Sequence, residues 1–126
     1  MLNIGICDDY QCFCELTDMY LRQYAEEKKC EFNIWQFGSG EELLSWLDKE
    51  NIRLDILFLD YHMKVLTGLE TARIIRKRKS NCRIVFVSSM DNPYELLEVQ
   101  PLTIIPKPLT QKVLDRILDG IGIENF

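Results

Sequence analysis

Four short apolar runs in this chain each lead into a group able to hold or transfer charge. Leu2-Asn3-Ile4-Gly5-Ile6-Cys7 ends in two carboxylates, Asp8 and Asp9, and Leu54-Asp55-Ile56-Leu57-Phe58-Leu59 ends in Asp60. Arg83-Ile84-Val85-Phe86-Val87 ends in the hydroxyls of Ser88 and Ser89, and Leu102-Thr103-Ile104-Ile105 leads into Pro106-Lys107-Pro108. Three carboxylates gathered within about 4–6 Å would repel by several kcal/mol at a protein-like dielectric. Lys107 offsets one charge only, so a hard divalent cation with oxygen ligands is the natural complement. Mg²⁺ suits such a site because it keeps several waters and takes one or two carboxylates together with phosphate oxygens. A carboxylate beside that metal can attack phosphorus and form an aspartyl phosphate. Phosphoryl transfer asks for positioning and charge neutralisation. Asp60 as nucleophile, a metal on the acidic pair, Lys107 on a phosphoryl oxygen and Ser88 as hydroxyl donor meet that need. Singly, a strand-end Asp is ordinarily a helix cap and a lone Lys is ordinarily solvated. The joint occurrence carries the reading.

The elements that must position these groups are legible in the apolar spacing. Runs of four to eight apolar residues stopped by a charge read as buried parallel strands. Glu31 to Phe37 adds a further strand, with Phe32 and Ile34 alternating against Trp35 and Phe37. Between the strands the spacing becomes helical. Phe13, Leu16, Tyr20 and Tyr24 mark a helix over Tyr10 to Lys29. Ser39 with Glu42, and Thr67 with Glu70, predict capping boxes at the next two helices. Asn92-Pro93 predicts an N-cap and first position for a short helix that stops at Pro101, and Thr110 opens the last helix. Five strands alternating with five helices predict an α/β fold. It is a doubly wound five-stranded parallel sheet, (βα)5 and flavodoxin-like, with right-handed crossovers. In the strand order 2-1-3-4-5 the first and third strands are neighbours, so Asp8, Asp9 and Asp60 share one crevice.

The 126 residues are expected to form one domain over 1–126, with no output domain in this chain. A net charge of −5 gives no footprint for nucleic acid or an anionic membrane. The basic run Arg73-Ile74-Ile75-Arg76-Lys77-Arg78-Lys79 reads as a solvated helix end, with cations complementing the helix C-terminus. No apolar stretch approaches the roughly 18 residues of a spanning helix, and no basic n-region or cleavage site opens the chain. The five cysteines are odd in number and form no Cys-x-x-Cys pair, which favours free thiols in a reducing, cytoplasmic setting over disulfides or zinc.

These residues carry a resemblance over nearly the whole chain. Asp8-Asp9, Phe58-Leu59-Asp60-Tyr61-His62-Met63 with Gly68 eight residues after the Asp, Ile84-Val85-Phe86-Val87-Ser88 and Lys107-Pro108 resemble the response-regulator receiver (CheY-like) domains of two-component signalling. Glu98-Val99-Gln100-Pro101 looks more particularly like receivers joined to LytTR-type DNA-binding domains. The resemblance implies that Asp60 takes a phosphoryl group from a histidine kinase's phosphohistidine. Asp9, Asp60 and the backbone carbonyl of His62 would ligate Mg²⁺, with Asp8 acting through water. Lys107 and Ser88 would contact the phosphoryl group, Lys107-Pro108 would be cis, and a homodimer could follow phosphorylation. The chain would then be a phosphoacceptor catalysing its own phosphotransfer and dephosphorylation, not an enzyme with a separate substrate. It departs from the family pattern in three places: Lys64 for the proline after the Met, Ile104 for an aromatic switch residue, and Pro106 in the last strand. The loss of the aromatic admits a second reading, a phosphorylation-independent interaction module. A third, a small aspartyl phosphatase, is disfavoured because His62 stands where the general-acid Asp would be.

Overall fold

In the computed structural model, which describes residues 1–89 and 93–123, strands and helices alternate along the chain. The order is β1 (Leu2–Cys7), α1 (Gln11–Lys28), β2 (Phe32–Phe37), α2 (Gly40–Lys49), β3 (Ile56–Leu59), α3 (Gly68–Lys77) and β4 (Arg83–Ser88). A 3₁₀ helix (Pro93–Val99), β5 (Thr103–Pro106) and α4 (Gln111–Ile121) follow. All pairings are parallel, as the apolar runs predict, and the sheet order is β2-β1-β3-β4-β5, the order under which Asp8, Asp9 and Asp60 are expected to share a crevice. Every residue of β3 is buried, because a central parallel strand needs apolar cover on both faces.

Alternation along the strands divides that cover into two cores. Leu57, Leu59, Ile84 and Phe86 pack with Leu43 of α2, Ala72 and Ile75 of α3 and Leu96 of the 3₁₀ helix. Ile4, Ile6, Phe58 and Val85 pack on the other face with Leu21 of α1 and Leu114 and Leu118 of α4. Helix α1 uses a different stripe from the one its large apolar residues mark. Cys14, Thr17, Leu21, Tyr24 and Ala25 meet the sheet, while Phe13, Leu16 and Tyr20 are half-buried on the flank. Cys14 and Thr17 are small enough for the helix to lie close to the strand ends, which leaves Phe13 turned toward the site.

The helix starts bear out the capping predictions unequally. At α3 both halves of the box are present: Glu70 N–H donates to Thr67 Oγ1 at 3.2 Å and Thr67 N–H donates to Glu70 Oε1 at 3.0 Å. At α2 Glu42 N–H donates to Ser39 Oγ, but the Glu42 carboxylate accepts from Gly38 N–H at 2.7 Å instead of from the cap residue. Glycine at 38 lets the carboxylate reach one residue further back.

The fourth crossover departs from the predicted helix. Its described part is 3₁₀, and Asn92, the expected N-cap, lies outside the described residues. The element is only seven residues long, Pro93–Val99, and is followed by Gln100, whose left-handed backbone (φ 51°) turns the chain into Pro101. Side chains of α3 and its preceding loop hold this short element. Tyr61 Oη donates to Glu95 at 2.8 Å, and Arg73 forms a two-pronged ion pair with Glu98.

Arg76 does the most. Its guanidinium donates to four backbone carbonyls: Val99 (2.8 Å), Ser80 (2.9 Å), Cys82 (2.8 Å) and Gln100 (3.3 Å). The basic run is therefore not simply a solvated helix end, since Arg73 and Arg76 fasten the 3₁₀ helix and Arg78 pairs with Asp48 at 2.9 Å. The reason is geometric: the C-terminal end of α3 lies against the turns entering β4 and leaving the 3₁₀ helix, where carbonyls lack helix partners. Replacing Arg76 by leucine is expected to cost about 2–3 kcal/mol, because the carbonyls lose a charged donor. Arg76→Lys should recover little, since an ammonium lacks the planar fork that spans them. Urea unfolding of both variants checks this, and a leucine variant within 0.5 kcal/mol of wild type would contradict it.

Candidate functional site: an acidic crevice with one lysine

The site lies beyond the carboxyl ends of β1, β3, β4 and β5, and backbone hydrogen bonds set each residue there. Asp8 N–H donates to the Phe37 carbonyl at 3.1 Å and Asp60 N–H to the Cys7 carbonyl at 2.9 Å, extending the sheet pairing by one step. Lys107 N–H donates to the Ser88 carbonyl at 3.2 Å, which ties the β5 exit to the β4 end. Lys107-Pro108 is cis, as the resemblance implied.

One oxygen of Asp8 is committed locally, accepting from Tyr10 N–H at 2.9 Å. Its other oxygen meets Lys107 Nζ at 2.9 Å, and the same ammonium stands 3.4 Å from Asp60 Oδ2. Carboxylate oxygens of Asp8, Asp9 and Asp60 come within 4.8 Å of one another. Asp8, Asp60 and Ser88 are buried, and among the described residues Asp9 Oδ1 and Ser88 Oγ, at the ends of β1 and β4, have no hydrogen-bond partner. Buried polar atoms are nearly always paired, so this donor set is incomplete as it stands. An orphan carboxylate oxygen among three acids fits a hard cation. An orphan hydroxyl facing the same edge fits an anionic oxygen.

The charges are unequally balanced. Burial raises the Asp60 carboxyl from an ordinary 3.8 to about 6, with the Asp8 and Asp9 charges adding to it and Lys107 pulling the other way. Burial works against the Lys107 ammonium, yet its contacts with Asp8 and Asp60 raise its pKa and keep it charged. The neighbouring thiols are held protonated. Burial pushes Cys7 up strongly, and burial together with the Asp8 charge pushes Cys14 to about 11.

The crevice thus gathers Asp8, Asp9, Asp60 and Lys107, and the backbone of Lys107 ties it to Ser88 at the end of β4. The His62 side chain lies outside it: the imidazole is exposed and packs edge-on to Tyr61 at 4.9 Å. Lys64 is exposed, Ile104 is half-buried against the core on the α3 side, and Pro106 sits on the edge strand, where a missing donor is tolerated. Sequence reasoning overlooked the aromatic wall. Lys107 Nζ lies 4.2 Å from the centre of the Phe13 ring and 5.9 Å from that of Tyr10. The available signal was positional: Tyr10 and Phe13 are one helical turn apart directly after the acidic pair. Glu95, partner of Tyr61, gave no signal at all.

A five-stranded 2-1-3-4-5 sheet with an Asp cluster and a lysine at its carboxyl edge defines a class of signalling receiver. The response regulator receiver domain family model matches residues 4–119, and the chain belongs to that family. It is 31% identical over 118 residues to the cyclic di-GMP phosphodiesterase response regulator RpfG of Xanthomonas campestris pv. campestris, a match covering 90% of this chain and 30% of that protein. The chain therefore spans under a third of that curated relative. Among solved structures it resembles the response regulatory domain of mrkE from Klebsiella pneumoniae, with TM-score 0.82, 18% identity, and 98% and 97% of the two chains covered. It also resembles the chemotaxis protein CheY4 of Vibrio cholerae, with TM-score 0.80, 19% identity, and 96% and 98% covered. None of the helices among the described residues is long and apolar enough to cross a membrane.

Proposed function

We propose that Asp60 is the phosphoacceptor of this receiver domain, taking a phosphoryl group from the phosphohistidine of a sensor kinase. The observation that carries this reading is the single ammonium shared by Asp8 and Asp60, beside one orphan carboxylate oxygen and one orphan hydroxyl. In the transfer, an Asp60 oxygen forms a bond to phosphorus as the donor's nitrogen–phosphorus bond breaks, and its electron pair leaves with the imidazole. Lys107 is placed to follow the charge from the Asp60 carboxylate to the phosphoryl oxygens. Ser88 Oγ–H, without a partner beforehand, is the group free to donate to one of those oxygens.

Asp9 and Asp60 would hold Mg²⁺ directly with the His62 backbone carbonyl, and Asp8 through water. Once bound, the ion neutralises carboxylate and phosphoryl charge. The Asp8 carboxylate is already turned by Tyr10 N–H and Lys107, consistent with an outer role. Phosphorylation adds close to two negative charges at this edge, and the switch it drives would act on the face formed by the 3₁₀ helix, β5 and α4. Control of transcription through a LytTR-type DNA-binding partner domain is the output that Glu98-Val99-Gln100-Pro101 supports.

Intact mass after incubation with Mg²⁺ and acetyl phosphate tests this. Wild type is expected to gain one phosphoryl group in an acid-stable, base-labile linkage, and Asp60→Asn none. No adduct, with beryllofluoride also failing to bind, would reject the phosphoacceptor reading in favour of an interaction module that needs no phosphorylation.

A further inference from the structure

Phe13 is half-buried and lies off the stripe by which α1 meets the sheet. It belongs to neither core cluster, since Cys14 and Thr17 beside it take the sheet contacts of α1. Its ring nevertheless lies against the one cation of the crevice, at 4.2 Å from Lys107 Nζ. The ring is itself braced. Tyr10 meets it edge-on at 6.2 Å and 81°, and Phe13 N–H donates to the Tyr10 carbonyl at 3.0 Å.

Lys107 needs such a support. Its flexible four-carbon stem loses rotamer entropy when the ammonium is held in one place, and water competes for that ammonium. Asp8 and Asp60 draw Nζ by their charges, while the ring offers it a second, uncharged contact. An aromatic face attracts the cation electrostatically. It cannot form a competing salt bridge, so the ammonium stays available when charge moves from the carboxylate to a phosphoryl group.

We infer that Phe13 is a positioning residue for Lys107: its ring face holds the ammonium at Asp60, so that the cation meets an incoming phosphoryl group without first being recruited from solvent. This rests on the phosphoacceptor reading. It assigns no chemistry to Phe13 itself, which contacts the reacting groups only through Lys107.

Phe13→Leu keeps the apolar bulk and removes the ring face, and Phe13→Tyr restores it. The Leu variant is expected to stay folded with a cooperative urea transition, its midpoint lowered only by the loss of the ring contacts to Lys107 and Tyr10. It should bind beryllofluoride, at saturating Mg²⁺, between about three- and thirtyfold more weakly, the range that corresponds to a cation–π contact. The Tyr variant should return to within about twofold of wild type on the same scale. An independent readout needs neither metal nor phosphate. The Lys107 ε-methylene protons should resonate upfield in wild type and Phe13→Tyr through the ring current, and at ordinary positions in Phe13→Leu. Unchanged beryllofluoride affinity in the Leu variant, or a Tyr variant as weak as the Leu variant, would overturn the inference. So would Lys107 protons showing no ring-current shift in wild type. If wild type itself takes neither phosphoryl group nor beryllofluoride, the phosphoacceptor reading falls, and the proton shifts alone decide whether Phe13 holds the ammonium.

Discussion

Asp60→Asn is expected to make the metal-free protein more stable at pH 7–8 while removing its proposed phosphoacceptor. The Asp60 carboxyl titrates near 6 in the folded chain against an ordinary 3.8, chiefly because it is buried and secondarily because Asp8 and Asp9 are close. A carboxyl raised on folding favours the folded state when protonated. Its contribution is fully present below about pH 3.8 and is lost as the pH rises through 6. Above that, ionised Asp60 opposes folding. At 1.36 kcal/mol per pKa unit the ceiling is roughly 3 kcal/mol, and screening by solvent at the open edge reduces it to about 1–2 kcal/mol. Asparagine keeps the shape and still accepts from Lys107, without the charge.

Urea unfolding in EDTA at pH 4, 6 and 8 should therefore show the two proteins converging at pH 4, separating between about pH 4 and 6, and keeping that gap at pH 8, with the variant ahead. Adding Mg²⁺ should narrow or reverse the gap, because a ligand that binds only the native wild type stabilises it by mass action. A variant no more stable than wild type at pH 8 in EDTA would mean that the three carboxylates are better compensated than the single lysine implies.

Gly68→Ala is the second large effect, and it acts through backbone contact alone. Gly68 opens α3 directly against the loop that follows β3, with its N–H donating to the Tyr61 carbonyl at 2.8 Å. A methyl group there would come within 2.3 Å of the Asp60 carbonyl oxygen and 2.8 Å of Tyr61 Cα. Both are main chain, so no side-chain rotation relieves the overlap; the helix start or the loop after β3 must move. The expected cost is about 2–3 kcal/mol, at the upper end of overpacking penalties. If the His62 carbonyl is a metal ligand as proposed, a weakened Mg²⁺ affinity should accompany it, because that carbonyl rides on the same loop. Gly120→Ala is the matched control. Among the described residues nothing lies within 4 Å of the added group in α4, so alanine there should be neutral or add about 0.5 kcal/mol by helix propensity. Denaturant unfolding of the pair measures the contrast, and equal stabilities would show that the loop yields without cost.

The division between what the residues announced and what folding decided follows a physical line. Strand identity and the delivery of Asp8, Asp9, Asp60, Ser88 and Lys107 to one edge were legible because a parallel sheet buries continuous apolar runs and carries whatever follows them to that edge. The capping box at Thr67 was legible because both of its partners lie within one helical turn. The half-box at Ser39, where Glu42 reaches Gly38 N–H, was not, since the choice between adjacent donors depends on the exact path of the loop. Spacing also misled where two stripes compete on one helix. Phe13, Leu16 and Tyr20 look like the buried face of α1, yet the close approach of that helix to the sheet selects Cys14 and Thr17.

The role of Arg76 follows from three chain segments meeting at one end of α3, an arrangement that no local pattern encodes. Tyr61 and Glu95 are likewise joined only by the packing of the 3₁₀ helix. The sequence by itself determined which charges meet. Tertiary structure alone decided what surrounds them: the ring under Lys107, the tethers on the 3₁₀ helix and the carbonyl against Gly68. Charges at strand ends are placed by the topology of the backbone, whereas contacts between side chains on separate elements depend on how closely those elements pack.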